Sequence, residues 1–326
     1  MKKMLLGILV SIGFIGMIAY KFDYKQFAEI WTKINYFLII PAFGLQIIGA
    51  IFSSIRWYYL LEKNIKLKHA ISSSFIGYGA NMVLPARGGD LFRVYYCRKE
   101  SGLKSLNLLS KLFLEKIMDF ILVIILGIIC FSLHNLQKPS SKGTMAVFTI
   151  SGLIVFGIFV TLYIIRFQNK FIVNILEFVG KKLNKEELLS HHLIPHVKDM
   201  GEFLKIKNLI KPLFYSSLMW TFYLLVHFVS AKMLQLDLNF LEIGFLVFCG
   251  GMSLALPSAP SGVGVYHASI ISGFVLLSRT PGQGLQFATI QHLVTFIILS
   301  STGLLFYLYW TYRRRHSKDD IQLEEE

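Results

Sequence analysis

Apolar runs long enough to cross a bilayer recur along the whole chain, and no other feature limits its fold so strongly. A spanning helix needs about 20 mostly apolar residues, with a range of about 17–25. Eight runs qualify, at about 4–20, 36–61, 117–133, 145–165, 213–233, 241–256, 263–279 and 286–310. The second contains Gln46 and Arg56, and only a Pro/Gly-rich break separates the sixth from the seventh. Another apolar segment, about 70–84, is too short to span and is flanked by glycines, so it reads as re-entrant. Runs of this kind leave helices as the way to satisfy the backbone in hydrocarbon. The expected fold is all-α: a polytopic integral membrane protein with about eight transmembrane helices plus a re-entrant segment.

Composition excludes the usual soluble classes. Only 16% of the 326 residues are charged and mean hydropathy is +0.57, against about 25% charged in a soluble domain. The net charge of +14 is spread over the segments between apolar runs, with no basic run interleaved with aromatics, so no nucleic-acid partner is expected. Cys97, Cys130 and Cys249 form neither a disulfide framework nor a metal-type spacing. Lys2 and Lys3 precede a run longer than an ordinary signal-peptide core, and no small-x-small site follows, so 4–20 reads as the first transmembrane helix.

Orientation comes from the basic residues. With the N-terminus in the cytoplasm and eight spans alternating, 26 of the 33 Lys and Arg fall on the cytoplasmic side, which predicts both termini inside. The chain then reads as one membrane domain over 1–312, followed by a disordered cytoplasmic tail at 313–326. Within the cytoplasmic loop 166–212, Phe171, Ile172, Ile175, Leu176, Val179 and Leu183 share a helical face near Lys181, Lys182 and Lys185. That pattern is an interfacial amphipathic helix.

An internal repeat is present in outline. Residues 79–85 read G-A-N-M-V-L-P and 251–257 read G-M-S-L-A-L-P. Paired Gly/Pro-interrupted segments in two halves of a membrane protein point to a midplane binding site and an inverted repeat.

The densest polar cluster is N-M-V-L-P-A-R-G-G-D-L-F-R, Asn81 to Arg93. Pro85 disfavours helix at Leu84, and Gly88 and Gly89 permit a turn and close backbone approach. A helix starting near Asp90 offers free N–H groups and a positive dipole end to an anion. Arg87 and Arg93 add guanidinium groups suited to phosphate. Asn81, Arg87, Gly88, Gly89, Asp90 and Arg93, with Arg56, are thus candidates for a lipid-phosphate site. The alternative is that Asp90 complements the dipole and the arginines set orientation.

Lys111, Glu115 and Asp119 recur at i, i+4, i+8 on one helical face. Carboxylates at the start of a span need partners, from Lys111, Lys116 or the preceding arginines. They form either a docking network or a headgroup or proton site. Arg56, beside Trp57, Tyr58 and Tyr59, either snorkels within an aromatic belt or neutralises a phosphate or carboxylate. In the second half Pro257, Pro260, Gly262 and Gly264 break the helix, tolerated at membrane depth where protein or a wet cavity surrounds it. His267 follows and can contact a proton or a headgroup. His191, His192 and His196 lack carboxylate or Cys company, so no metal is expected. With no nucleotide-binding or hydrolase motif, neither a cofactor nor soluble-type catalysis is expected.

R-W at 56–57, N-x-x-L-P-x-R-x-G-D-x-x-R across 81–93, E-K-x-x-D at 115–119 and P-x-x-P-S-G-V-G-V-Y at 257–266 occur in this order. Together they resemble the flippase-like membrane family related to the transmembrane region of lysylphosphatidylglycerol synthase. The chain differs from the family where His267 stands in place of a common Glu and Lys116 in place of Arg. The resemblance implies a prokaryotic plasma-membrane protein that binds or translocates lipids without ATP. Its cargo would be an anionic, aminoacylated or polyprenyl-phosphate-linked lipid. The soluble aminoacyl-transfer domain of the synthase is not in this sequence, so synthesis of the aminoacylated lipid is not expected. Two other functions fit the residues: an intramembrane enzyme acting on lipid-linked phosphate, or a non-catalytic partner of a lipid-modifying or glycosyl-transfer enzyme.

Overall fold

The computed structural model describes residues 34–84, 87–137, 204–253 and 260–324, with Thr32 and isolated positions between 149 and 181. The run at 4–20, most of 145–165, most of the 166–212 loop with its amphipathic helix, Pro85 and Pro257 lie outside the described residues. Every regular element among those described is helical: α1 Ile39–Leu60, α2 Leu67–Val83, α3 Gly88–Ser101, α4 Ser105–Gln137, α5 Ile206–Met233, α6 Phe240–Ser253, α7 Val265–Leu276 and α8 Pro281–Glu324. Among the described residues four stretches are long and apolar enough to cross a membrane: Tyr36–Leu60, Ser105–His134, Ile206–Met233 and Pro281–Arg314.

The ends of these helices follow local chemistry. Leu84 is extended, as the residue before a proline prefers, and this stops α2. Gly102, at φ 71°, closes α3 in the left-handed conformation. Asn239 and Glu242 exchange side-chain-to-backbone hydrogen bonds at 2.8 and 2.9 Å, a capping box that starts α6. Pro281 opens α8, where its missing N–H costs nothing.

Two helical hairpins stand between the long helices. In the first, α2 and α3 run antiparallel, with His69 Nδ1 3.1 Å from Tyr96 Oη at the base and Gly77 against Gly89 and Arg93 nearer the tip. The segment expected to be re-entrant is therefore the first arm of a hairpin that returns through α3. In the second, Gly250 packs on Tyr266 and Gly273 on Cys249 and Leu246, so α6 and α7 also run antiparallel. The sequence reads 241–256 and 263–279 as two spans, and the structure describes a helix in each, Phe240–Ser253 and Val265–Leu276. Helices of 14 and 12 residues reach about 18–21 Å at 1.5 Å per residue, short of a hydrocarbon core about 30 Å thick. Arg279 clamps the base of this hairpin, donating from Nε and Nη2 to the two oxygens of the buried Glu242, each at 3.0 Å.

The order long helix, hairpin, long helix occurs twice, as α1–α4 and as α5–α8. α1 packs antiparallel on α5, with Phe52 on Phe222 and Tyr59 on Tyr215, ring centroids 5.4 Å apart in both pairs. The second unit is therefore inverted relative to the first. Equivalent contacts then appear in both: α2 packs on α8, and α6 on α4. Gly79 of α2 meets Gly303 of α8, while Gly251 of α6 meets Val123 of α4. The G-x-x-x-x-L-P repeat thus marks equivalent ends of α2 and α6. α8 runs on to Glu324, through the segment that the sequence reads as a disordered tail.

Candidate functional site

The first unit holds a buried charge network. Arg93, on the inner face of α3, is fully buried and donates from Nη1 and Nη2 to Glu115 Oε1 and Oε2 of α4 at 2.9 and 3.0 Å. Its guanidinium lies 4.0 Å from the Trp57 ring centroid, a cation–π contact that covers the flat face. Arg56 of α1 bridges the two carboxylates of α4. Its Nη2 is 3.2 Å from Glu115 Oε1, and its guanidinium donates to both oxygens of Asp119. Ser216 of α5 and Ser53 of α1 accept further bonds from it at 3.1 and 3.3 Å. Trp220 Nε1 of α5 donates to Asp119 Oδ1 at 3.2 Å.

A second layer lies toward the hairpin tip. Asn81 Nδ2 donates to Asp90 Oδ1 at 3.1 Å, and Lys116 Nζ stands 3.5 Å from Asp90 Oδ2. Arg56, Arg93 and Lys116 therefore face Asp90, Glu115 and Asp119, three charges of each sign. This balance is the condition for tolerating so many ions at low dielectric.

Arg87 stands apart from that balance. It occupies the tip of the first hairpin in the left-handed conformation, φ 56°, and no ion-pair or hydrogen-bond partner is found for it among the described residues. It lines a cleft with Lys116, Asp119, Phe120 and Val123 of α4, Trp220 of α5 and Gly251 of α6. The cleft lies where the two inverted units meet and has a volume of about 50 Å³. At about 10–15 Å³ per water, that is space for a few waters or one phosphate-sized group.

The sequence candidates therefore separate. Arg87, Lys116 and Asp119 face the cleft, whereas Arg56, Arg93, Glu115, Asp90 and Asn81 are engaged with one another beneath it. Gly89 serves packing: a Cβ there would lie 2.0 Å from the Gly77 carbonyl oxygen. Gly88 begins α3 beside Leu84. Lys111 leaves the expected trio, because its ammonium bonds Glu62 Oε1 at 2.7 Å. Pro260, Gly262 and Gly264 lie at the tip of the second hairpin, and His267 lies on α7 and is not among the residues lining the cleft. Trp220, Ser216, Ser53 and Phe120 complete the site. Nothing in their sequence surroundings marks them, since each enters through helix packing. Among the described residues no group of three or more His, Cys, Asp or Glu is placed to hold a metal ion.

A search of curated proteins finds no match. A family profile, by contrast, matches residues 4–303, nearly the whole chain and all the elements that build the cleft. The chain belongs to the family described as the lysylphosphatidylglycerol synthase TM region.

Proposed function

We propose that this multi-pass membrane protein binds the phosphate of a lipid headgroup in the cleft and carries the headgroup across the bilayer without ATP. The observation that supports this most directly is Arg87, a cation without a partner among the described residues, beside Lys116 in a phosphate-sized cleft. A balanced network beneath holds the cleft's shape while leaving one net positive charge to meet an anion. Guanidinium and ammonium groups both suit phosphate, the first bidentately. Asp119, 20% exposed, presents a carboxylate edge to any cationic part of the same headgroup. The two hairpins, anchored at their bases and broken at their tips, are the elements that can shift around the cleft.

The cargo on this reading is an anionic, aminoacylated or polyprenyl-phosphate-linked lipid, in keeping with the family's name. We read the chain as non-catalytic, because each carboxylate near the cleft is already held by a cation and none is poised as a free base. It would work in a prokaryotic plasma membrane with both termini cytoplasmic, beside an enzyme that modifies lipids or transfers glycosyl groups. The test is a lipid inventory. Wild type and Arg87→Ala are purified in mild detergent, and co-purifying lipids are compared with bulk membrane by mass spectrometry. Enrichment of one phosphate-bearing lipid in the wild type alone is the expected result; equal, unselective lipid in both samples would reject the site.

A further inference from the structure

The second unit contains a polar cluster that the lipid cleft does not use. His267 of α7 and His292 of α8 face each other with ring centroids 5.2 Å apart, and the Tyr266 ring is 5.5 Å from His292. His292 Nε2 lies 3.0 Å from Ser261 Oγ at the hairpin tip, where Ser261 has a left-handed backbone at φ 55°. Two polar atoms of the cluster, His267 Nδ1 and Tyr266 Oη, are buried with no hydrogen-bond partner among the described residues. Leaving a buried polar atom unpaired is unfavourable, and phenylalanine or leucine would fill either position without that penalty. Packing alone therefore does not explain these residues.

The inverted repeat supplies a reason. Asp90 is the third residue of α3 and Lys116 the twelfth of α4; His267 is the third of α7 and His292 the twelfth of α8. Gly127 and Gly303 are each the twenty-third residue of their helix, and each packs on the first arm of the other unit's hairpin, at Phe248 and at Gly79. Where the first unit has a permanent ion pair, the second has two imidazoles. Glu115 is likewise matched by Gln291, which accepts a bond from Ser230 at 2.7 Å. At these two positions the first unit carries a carboxylate and an ammonium, and the second carries charge only when an imidazole is protonated.

We propose that the His267–His292 pair binds a single proton, and that its loading and release couple lipid movement to the proton gradient. The coupling half of this inference rests on the translocation reading above. An O–H bond of hydronium breaks as an N–H bond forms on one imidazole nitrogen, release reverses this, and no bond between heavy atoms changes. A second proton is disfavoured because two imidazolium rings at this separation repel in a buried setting. Protonation also fixes the bond to Ser261. Neutral His292 can accept from the hydroxyl through Nε2, but the imidazolium only donates, so the serine must turn to accept. This change occurs at the tip of the second hairpin. The tip leans on α2, and the Tyr266 ring presses on Gly250, next to the cleft-lining Gly251.

The surroundings suit a proton switch. On α6 the titratable group acting on Tyr266 is Cys249. From α5, His227 packs on Phe287 and bonds the Tyr223 carbonyl oxygen. α2 turns Tyr78 to Ser53. Among the described residues no carboxylate, Lys or Arg is in ion-pair or hydrogen-bond contact with either histidine.

The test has two arms on the full-length protein. First, ¹⁵N-histidine-labelled wild type, His267→Asn and His292→Gln are titrated by NMR in detergent between about pH 4 and 9, around the ordinary imidazole range. The pair should take up one proton, with the second at least about one pH unit lower, and either substitution should abolish the two-step pattern. Rings that titrate independently at one midpoint, or stay neutral throughout, would overturn the proton site. Second, lipid movement in reconstituted vesicles is measured with and without an imposed pH gradient. The ratio of the two rates should exceed one in wild type and fall to one in both variants, whose folding the first arm has verified. A wild-type ratio of one would overturn the coupling. Absence of any lipid movement would instead reject the translocation reading, and with it the coupling, while the titration still decides the proton site.

Discussion

Arg93 donates both of its Nη groups to Glu115, which is 1% exposed, so neither partner can be removed without stranding a buried charge. Replacing Arg93 by Met should cost about 3–5 kcal/mol, the usual penalty for breaking a buried ion pair from one side. Thermal unfolding in detergent will register it. Converting both Arg93 and Glu115 to apolar residues should recover part of that loss, though Arg56 then keeps only Asp119. Arg87→Ala should behave in the opposite way. It leaves stability within about 0.5 kcal/mol, as surface substitutions do, while specific lipid is lost from the purified protein. If Arg87→Ala destabilised the fold as much as Arg93→Met, Arg87 would be part of the structural network and not of a binding site.

For the helices, close approach is the controlling feature. Gly89 packs so tightly that a Cβ would sit 2.0 Å from the Gly77 carbonyl oxygen and 2.7 Å from Asn81 Oδ1. Gly89→Ala must therefore separate α2 from α3, and the expected loss is about 1–3 kcal/mol. Gly44 is the matched control. It lies in α1 with no heavy atom within 4 Å of an added Cβ, so Gly44→Ala should hold or raise stability by up to about 1 kcal/mol through helix propensity. Equal melting temperatures for the two variants would show that the hairpin is looser than described. The helix ends were partly legible from residues: Pro85 after Leu84, Gly102 and Pro281 each mark a boundary for a local reason. The partners of the charges were not. The i, i+4, i+8 spacing put Lys111, Glu115 and Asp119 on one face, but helix packing assigns Lys111 to Glu62 and the carboxylates to Arg56 and Arg93. Only the crossing of α1, α3 and α4 decides such pairings.

Over the whole molecule, the inverted repeat makes a topological prediction. The base of the first hairpin, at Lys66 and Lys104, and the base of the second, at Asp237 and Arg279, should face opposite sides of the membrane. Single cysteines at Lys104 and Asp237, labelled with an impermeant maleimide in a Cys-free background, should react from opposite sides; reaction from one side would refute the inversion. Apolar periodicity revealed the membrane class and the four long helices of the described residues, because a bilayer demands length and little else. It gave 241–256 and 263–279 as two spans without their antiparallel pairing, since α6, the break and α7 form a nearly continuous apolar stretch and only the Pro/Gly content signals a return. The repeat was visible as a short motif, yet the match of Asp90 and Lys116 to His267 and His292 needed helix registers.

The most direct test of the account is transbilayer movement of a headgroup-labelled phospholipid in vesicles reconstituted with wild type, Arg87→Ala or Lys116→Ala. The account predicts protein-dependent movement in the wild type and at least about a tenfold loss in each variant, the equivalent of roughly 1.4 kcal/mol of phosphate binding. Equal movement in all three would contradict the cleft as the headgroup's path.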